Sequence, residues 1–220
     1  MNVRPIERTV TRPILEVTTA TPGGKQPDRA RTMSSQRLNP NKCSDPFQSN
    51  VKKCKTSFSQ SYVSGSLPCR LQTTASRYHL QWHAGAETGF SPELLVVCAD
   101  GLTESDHPFV ILAPMMFHEL CLRSEGCVQL FADVIGTVTM HLRKALSEQQ
   151  SFDRGLSALK VLLQHTGNAM LPMLPKLIPC LSRPFSDRKL HDTVAEALGL
   201  MEQACGPDAT KLIKAKIPTY

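Results

Sequence analysis

The sequence predicts an all-α protein made of stacked antiparallel helix pairs, with a β-hairpin cap and a basic N-terminal tail. The clearest observation is in residues 151–183, where apolar side chains recur every three or four positions in two segments separated by Gly167 and Asn168. Glycine and asparagine readily adopt the turn conformations that end a helix. Two short helices cannot bury both apolar faces alone. We therefore expect similar pairs stacked beside them, as in HEAT or armadillo repeats.

Composition agrees with this fold class and divides the chain in two. Aromatic residues make up only 5% of the 220 residues, which is typical of Leu-rich helical repeats rather than β-proteins. Residues 1–70 hold 12 Lys and Arg against 4 Asp and Glu, a net charge of +8, whereas residues 71–220 hold 13 against 15, a net charge of −2. Residues 1–57 are also rich in Pro, Ser and Thr without an apolar period. We predict a disordered basic tail over 1–57 and a folded helical domain over 58–220.

The lack of a recognisable targeting signal and the pattern of cysteines predict an intracellular protein. The N-terminus has no apolar core of a secretory signal, and no apolar run reaches the length that spans a membrane. The eight cysteines are scattered and form no CxxC pair. We therefore expect reduced thiols that are mostly buried as small apolar side chains.

The cap is predicted from two short alternating runs, 65–72 and 78–82, which Thr73, Thr74 and Ser76 separate as a turn. We expect Trp82 to pack on the first helices and seal one end of the stack.

The helices follow in order. Ser91 and Pro92 have the chemistry of an N-cap and a first helical position, so the first helix should run to about Thr103. Residues 107–112 are predicted as a short turn and Pro114 as the start of the second helix. The remaining predicted helices are 127–147, the pair within 151–183, about 187–205, and a short last helix that Pro207 starts after Gly206.

Candidate chemistry is sparse. Asp100, Glu104, Asp106 and His107 lie close together and have the groups of an acid–base site, but such clusters more often cap helices. His118, Cys121 and Cys127 lack a fourth ligand with zinc-like spacing. We therefore expect no enzyme activity, no metal and no cofactor.

Three prolines stand at spacings of three and four, at positions 172, 175 and 179. They predict a bent or broken helix, because proline removes a helical hydrogen bond.

The tail indicates an acidic partner, since a basic segment on a near-neutral domain is attracted to polyanions. The candidate partner-binding residues are Lys52, Lys53 and Lys55, just before the folded domain, and Arg70. The segment LNPNKCSDPF (38–47) has an exposed aromatic that fits a groove on a partner, with a plain linker as the alternative.

Short ordered motifs resemble the parkin co-regulated protein family. They are GSLPCRL (65–71), LQW (80–82), DGLTESDHPF (100–109), FHEL (117–120), DRGLSAL (153–159) and KIPTY (216–220). With LNP…PF (38–47), which is similar to the parkin co-regulated-like branch, the resemblance covers about residues 38–220. It implies a HEAT/armadillo-like domain that binds tubulin, without enzyme activity. A relative lies at the inner junction of ciliary doublet microtubules.

The expected function is therefore a non-catalytic microtubule- and tubulin-binding scaffold of cilia or axonemes. The expected location is the cytoplasm, cytoskeleton and cilium or axoneme, with other axonemal or chaperone proteins as further partners. The alternative is a HEAT-type adaptor for a soluble protein. We expect no membrane as partner. We also expect no nucleic acid, because the tail lacks the interleaved aromatic residues that stack on bases. The tail should supply salt-dependent contacts and the near-neutral domain shape-specific ones.

Overall fold

The protein is an all-α structure with one small hairpin. The computed structural model describes residues 54–74, 77–85, 89–124 and 127–220, which belong to one compact unit. Two 3-10 helices, Val128–Phe131 and Gly167–Met173, interrupt the α-helices. The other elements, in chain order, are α1 Ser57–Val63, β1 Cys69–Thr74, β2 Arg77–Trp82, α2 Pro92–Gly101, α3 Phe109–Arg123, α4 Ile135–Ser147, α5 Phe152–Thr166, α6 Leu174–Phe185, α7 His191–Cys205 and α8 Pro207–Lys216.

The helices after the hairpin form two layers. α2, α4, α6 and α8 pack side by side in one layer, and α3, α5 and α7 pack side by side in the other. α2, α4 and α6 each also pack against the next helix of the chain, which lies in the second layer, and α8 packs against α7 before it. The chain thus alternates between layers, which is the architecture of stacked antiparallel pairs.

The helix pairs recur at a regular spacing. α4 begins at Ile135 and α6 at Leu174, 39 residues later, while α5 begins at Phe152 and α7 at His191, again 39 residues later. α5 and α7 both have 15 residues and both end at a glycine with positive φ, Gly167 at 52° and Gly206 at 73°. Only glycine adopts such angles without strain. The same helix pair is therefore built twice in succession.

The hairpin is present as predicted, but Thr73 and Thr74, predicted as turn residues, are the last residues of β1, because they pair with Tyr78 and Arg77. β1 and β2 pair antiparallel from Cys69 opposite Trp82 to Thr74 opposite Arg77. The Trp82 indole N–H donates to the Glu119 carboxylate at 2.6 Å, and the Arg123 guanidinium lies 3.9 Å from the centre of the Trp82 ring. Trp82 thus contacts α3, the second helix of the stack.

A continuous apolar core lies between the layers. Leu159 is fully buried, which confirms the inward face predicted for α5. It is accompanied from both layers by completely buried Leu95, Leu120, Leu142, Leu177 and Leu198. At the C-terminus Tyr220 packs on Phe185, with 5.9 Å between ring centres, and its hydroxyl donates to Glu202 at 3.1 Å.

Three helix boundaries predicted from sequence are wrong. Residues 109–112 are the first turn of α3 and not a separate turn, and Pro114 lies inside this helix rather than at its start. The predicted helix over 127–147 is a 3-10 helix followed by α4. The predicted start at 187 is a turn, and α7 begins at His191.

The proline prediction has a clear structural outcome. Pro172 lies in the 3-10 helix, and Pro175 lies at the start of α6 where no intrahelical bond is lost. Pro179 and Pro184 lie within α6. The predicted helix is thus broken at Leu174, and the side chains of Pro172, Pro175 and Pro179 are all exposed.

Candidate interaction surface

The motif DGLTESDHPF forms the turn between α2 and α3 and contacts the start of α1. Thr56 is the N-cap of α1, and its hydroxyl donates to the buried Glu104 carboxylate at 2.6 Å. The Ser57 amide and hydroxyl donate to Asp100 at 2.8 and 2.7 Å. Gly101 leaves room for Phe58, since a Cβ there would lie 2.6 Å from the Phe58 ring. The motif therefore fixes α1 on the stack.

The same turn is tied to the next helix pair. The Arg154 guanidinium, at the start of α5, donates to the carbonyl oxygens of Leu102 at 3.1 Å and Glu104 at 2.8 Å. His141 of α4 contacts the second Asp100 oxygen at 3.3 Å. The hydrogen bond from His141, with those from Ser57, holds the pKa of Asp100 well below its usual range.

The residues considered for acid–base chemistry thus have structural partners. Asp100 and Glu104 bind the start of α1, and Asp106 lies 3.8 Å from Lys55. His107 is exposed on the same turn. In the part of the chain that the structure describes, no group of three His, Cys, Asp or Glu side chains could hold a metal.

A basic face covers the outer side of α4, α6 and α8. Each of these helices packs on its layer neighbours and on the other layer, so their exposed sides all face away from α3, α5 and α7. The Ser147 hydroxyl lies 3.7 Å from the Cys180 sulfur, which places α4 and α6 side by side at the surface. One carboxylate, Asp208, accompanies seven exposed cations: Arg143, Lys144, Lys176, Arg183, Lys211, Lys214 and Lys216.

The opposite layer has a different charge. α3, α5 and α7 carry three Lys and Arg residues and five Asp and Glu residues. The Lys160 ammonium of α5 forms an ion pair with the Glu196 carboxylate of α7. Although residues 71–220 have a net charge of only −2, the positive and negative charges are thus separated between the two layers.

The basic face also carries an apolar stripe. Met140 is 67% exposed in the middle of α4, and Pro175 and Pro179 are exposed on α6. An acidic chain that crosses this surface would meet both cations and apolar side chains.

Four of the seven cysteines in the described residues belong to the core, whereas Cys54 and Cys180 are half-buried and Cys127 is exposed. Cys69, Cys98, Cys121 and Cys205 are buried. Burial raises the pKa of both Cys69 and Cys121 to about 12, so these thiols stay protonated. No helix in the described ranges is long and apolar enough to cross a membrane.

Of the four predicted partner-binding residues, the two that the structure describes, Lys55 and Arg70, do not belong to the helices of this face. Lys52 and Lys53 are outside the described residues. The exposed Lys55 ammonium donates to the Ser105 hydroxyl at 3.2 Å, and exposed Arg70 lies on β1 opposite Gln81. Sequence reasoning missed the basic face, although its signal was present. All seven cations fall on alternate helices of the predicted series.

These features define a class of protein: a two-layer stack of helix pairs that presents a broad charged surface. The matched family is more specific. Residues 56–220 match the family of the Parkin co-regulated protein, which is three quarters of the chain. The chain therefore belongs to the Parkin co-regulated protein family. The match begins at Thr56, the cap of α1.

Proposed function

We propose that this protein is a non-catalytic scaffold that binds microtubules in cilia or axonemes, and that its fold is of the HEAT/armadillo type. The fold proposal is supported by the helix spacing. Successive pairs begin 43 and then 39 residues apart, at Pro92, Ile135 and Leu174. Spacings of about 40–47 residues are typical of HEAT and armadillo repeats.

The basic face carries the functional proposal. Tubulin presents flexible, Glu-rich tails, which are polyanions. Seven exposed cations on α4, α6 and α8 form a broad attractive surface for such a chain, whereas the opposite layer offers an excess of carboxylates. The complementary charge favours one orientation of the protein on its partner.

The tail adds a second electrostatic contribution. Lys52, Lys53 and Lys55 precede α1, and Lys55 is held on the α2–α3 turn. Binding should therefore depend on salt through both the tail and the basic face. This revises the expectation that the folded domain contributes only shape-specific contacts.

Co-sedimentation with microtubules over about 0.05–0.3 M salt tests the proposal. A basic-face variant, Lys144→Gln with Lys176→Gln and Lys214→Gln, should bind roughly tenfold more weakly at low salt, because three exposed cations are removed. The matched control adds three carboxylates to the other layer, through Ser157→Glu, Gln164→Glu and Gln203→Glu. It has the same net charge and should bind within about twofold of the wild type.

Further arms separate the alternatives. Equal weakening in both variants would show that net charge alone acts, which contradicts an oriented surface. Deletion of residues 1–53, which leaves Thr56 in place, should also weaken binding and reduce the salt slope. If no variant or wild-type protein sediments at any salt, the scaffold proposal fails and the adaptor for a soluble partner becomes the better explanation.

A further inference from the structure

A cleft opens beside the basic face, between the α4–α5 turn and the α6–α7 turn. Its volume is about 730 Å³. On the α6 side it is lined by Arg183, Ser186 and Lys189. In the described part of the chain neither of these cations forms an ion pair. The Ser186 hydroxyl thus lies between two cations, in a cleft that the carboxylates of Glu148, Asp153 and Asp187 also line.

Ser186 has an exposed and accessible position. It follows the last residue of α6, Phe185, and lies in the turn before α7. Its amide donates to the Arg183 carbonyl at 3.1 Å, and its hydroxyl makes a long contact of 3.3 Å with the Ser182 carbonyl. Ser186 itself lies outside α6, but Arg183 and the buried Phe185 belong to the last turn of that helix. A kinase that binds the segment must therefore unwind this one turn, which the end of a helix allows at low cost.

The charged residues around Ser186 indicate which class of enzyme could modify it. The segment Arg183-Pro-Phe-Ser186-Asp-Arg-Lys has an arginine three residues before the serine and basic residues after it. Protein kinases discriminate among substrates by charge patterns of this kind. Carboxylates of the kinase bind the basic side chains of the substrate. We propose that Ser186 is a phosphorylation site for a protein kinase that prefers basic substrates.

Two other serines in the described residues have a basic residue at the same spacing, and the structure distinguishes them from Ser186. Ser157 follows Arg154, but it lies inside α5 and Arg154 is bound to the α2–α3 turn. Ser147 follows Lys144, but it is the last helical residue of α4 and its hydroxyl donates to the Arg143 carbonyl at 2.8 Å. Ser157 would therefore require α5 to open in its interior, and the Ser147 hydroxyl is held by a shorter hydrogen bond than the 3.3 Å contact of Ser186.

The reaction is a phosphoryl transfer from ATP. The Ser186 Oγ attacks the γ-phosphorus, the bond between that phosphorus and the bridging oxygen breaks, and ADP leaves. The hydroxyl proton passes to the base of the kinase. The product carries about −1.5 to −2 charges at neutral pH.

The phosphate would change the basic face. It lies at the C-terminal end of α6, where the helix dipole disfavours negative charge, so Arg183 and Lys189 must stabilise it. Arg183 is one of the seven cations of the basic face, and pairing with the phosphate removes its positive charge from that surface. Phosphorylation should therefore weaken binding of an acidic partner. This regulatory consequence rests on the proposed microtubule-binding function, whereas the modification itself does not.

Full-length protein treated with ATP and a basophilic serine/threonine kinase tests the site. Mass spectrometry should locate phosphate on the peptide that contains Ser186. Arg183→Gln should slow the modification at Ser186 at least tenfold, while Ser147→Ala and Ser157→Ala should leave it unchanged. Phosphate on Ser147 or Ser157 with none on Ser186 would overturn the proposal.

The regulatory effect is measured by microtubule co-sedimentation of kinase-treated wild type and kinase-treated Ser186→Ala. Any phosphate elsewhere is common to both, so their difference isolates Ser186. The wild type should bind roughly threefold to tenfold more weakly after treatment, and the two untreated proteins should bind equally. Stoichiometric phosphate on Ser186 without a change in binding would overturn the regulatory part. If untreated protein does not bind microtubules, the proposed function fails, while the mass-spectrometric result still decides the site.

Discussion

Two neighbouring gaps on one edge of the stack are built differently. The gap between the α2–α3 and α4–α5 turns is bridged by Arg154, which donates to the carbonyls of Leu102 and Glu104. The gap between the α4–α5 and α6–α7 turns is the cleft of about 730 Å³. The helices on either side have similar lengths and spacing. Closure therefore depends on particular side chains rather than on the repeated backbone.

The comparison indicates where the stack is rigid and where it is accessible. The first gap combines a buried Glu104, a hydrogen-bonded Asp100 and the start of α1. Polar side chains in such a network hold one another in fixed positions. The second gap leaves Glu148 and Asp153 without ion pairs in the described part of the chain. It offers free polar groups at the edge of the basic face.

Leu159→Ala should lower the free energy of unfolding more than any other change considered, because Leu159 anchors α5, the helix that follows the turn between the two gaps. Leu159 is fully buried in α5, which packs against α3, α4 and α7. The free energy of unfolding should fall by about 2–5 kcal/mol, the usual range for a buried leucine. Denaturant unfolding measures the change. The control Leu122→Ala is at a 52% exposed leucine of α3 and should cost less than about 0.5 kcal/mol. Equal losses would contradict the assigned core face.

Arg154→Ala should open the first gap only. Two charge-assisted hydrogen bonds to turn carbonyls are lost, and the free energy of unfolding should fall by about 2–3 kcal/mol. Its neighbour Asp153 lines the second gap, so Asp153→Ala is the matched control and should change stability by less than about 0.5 kcal/mol. Hydrogen exchange should become faster in the α2–α3 turn of Arg154→Ala. If hydrogen exchange in the α2–α3 turn stays unchanged while the protein is less stable, Arg154 does not close the first gap.

Asp100→Asn should weaken the same gap in a pH-dependent way. The lowered pKa of Asp100 means that the unfolded chain takes up a proton first as the solution is acidified. The carboxylate therefore stabilises the fold above the unfolded value of about 3.9, and this contribution is lost as the pH falls below it. At pH 7 the variant should be about 1–2 kcal/mol less stable, from weakened hydrogen bonds to Ser57 and His141. The difference from wild type should shrink below about pH 4. A difference that stays constant down to pH 3 would contradict this role.

Much of the fold follows from local sequence patterns, and the first gap does not. The apolar periods predict the helices of the stack, the Gly-Asn break predicts the end of α5, and the alternating runs predict the hairpin. α1 was missed because its seven residues, SFSQSYV, bury only Phe58 and Ser59 and have no apolar period. Because α1 was not predicted, the hydrogen-bond partners of Asp100 and Glu104 could not be predicted either. The cluster was correctly expected to be structural, but its contacts are 43 and 48 residues apart in sequence.

The charge distribution of the folded domain was also only partly predictable. Counting charge over residues 71–220 gives −2 and suggests a neutral domain. The layers become polarised only because the chain alternates between them, which places the cations of α4, α6 and α8 on one side. Sequence periodicity gives the exposed face of each helix but not which helices are neighbours. Arg183 and Ser186 meet the cleft for the same reason, through tertiary packing.

The smallest effect tests whether the second gap can be closed by the same device as the first. α5 begins at Phe152 and α7 at His191, so Thr193 is the positional counterpart of Arg154. Thr193 is exposed, and its hydroxyl donates to the Leu190 carbonyl at 2.9 Å instead of reaching the preceding turn. Thr193→Arg should place a guanidinium toward the α4–α5 turn and raise the free energy of unfolding by up to about 1 kcal/mol. Thr193→Gln, a long side chain without charge, is the control and should gain less. Slower hydrogen exchange confined to the α4–α5 turn would show that the arginine bridges the gap. If Thr193→Arg lowers stability, or protects no turn, then the two helix pairs differ in more than this side chain.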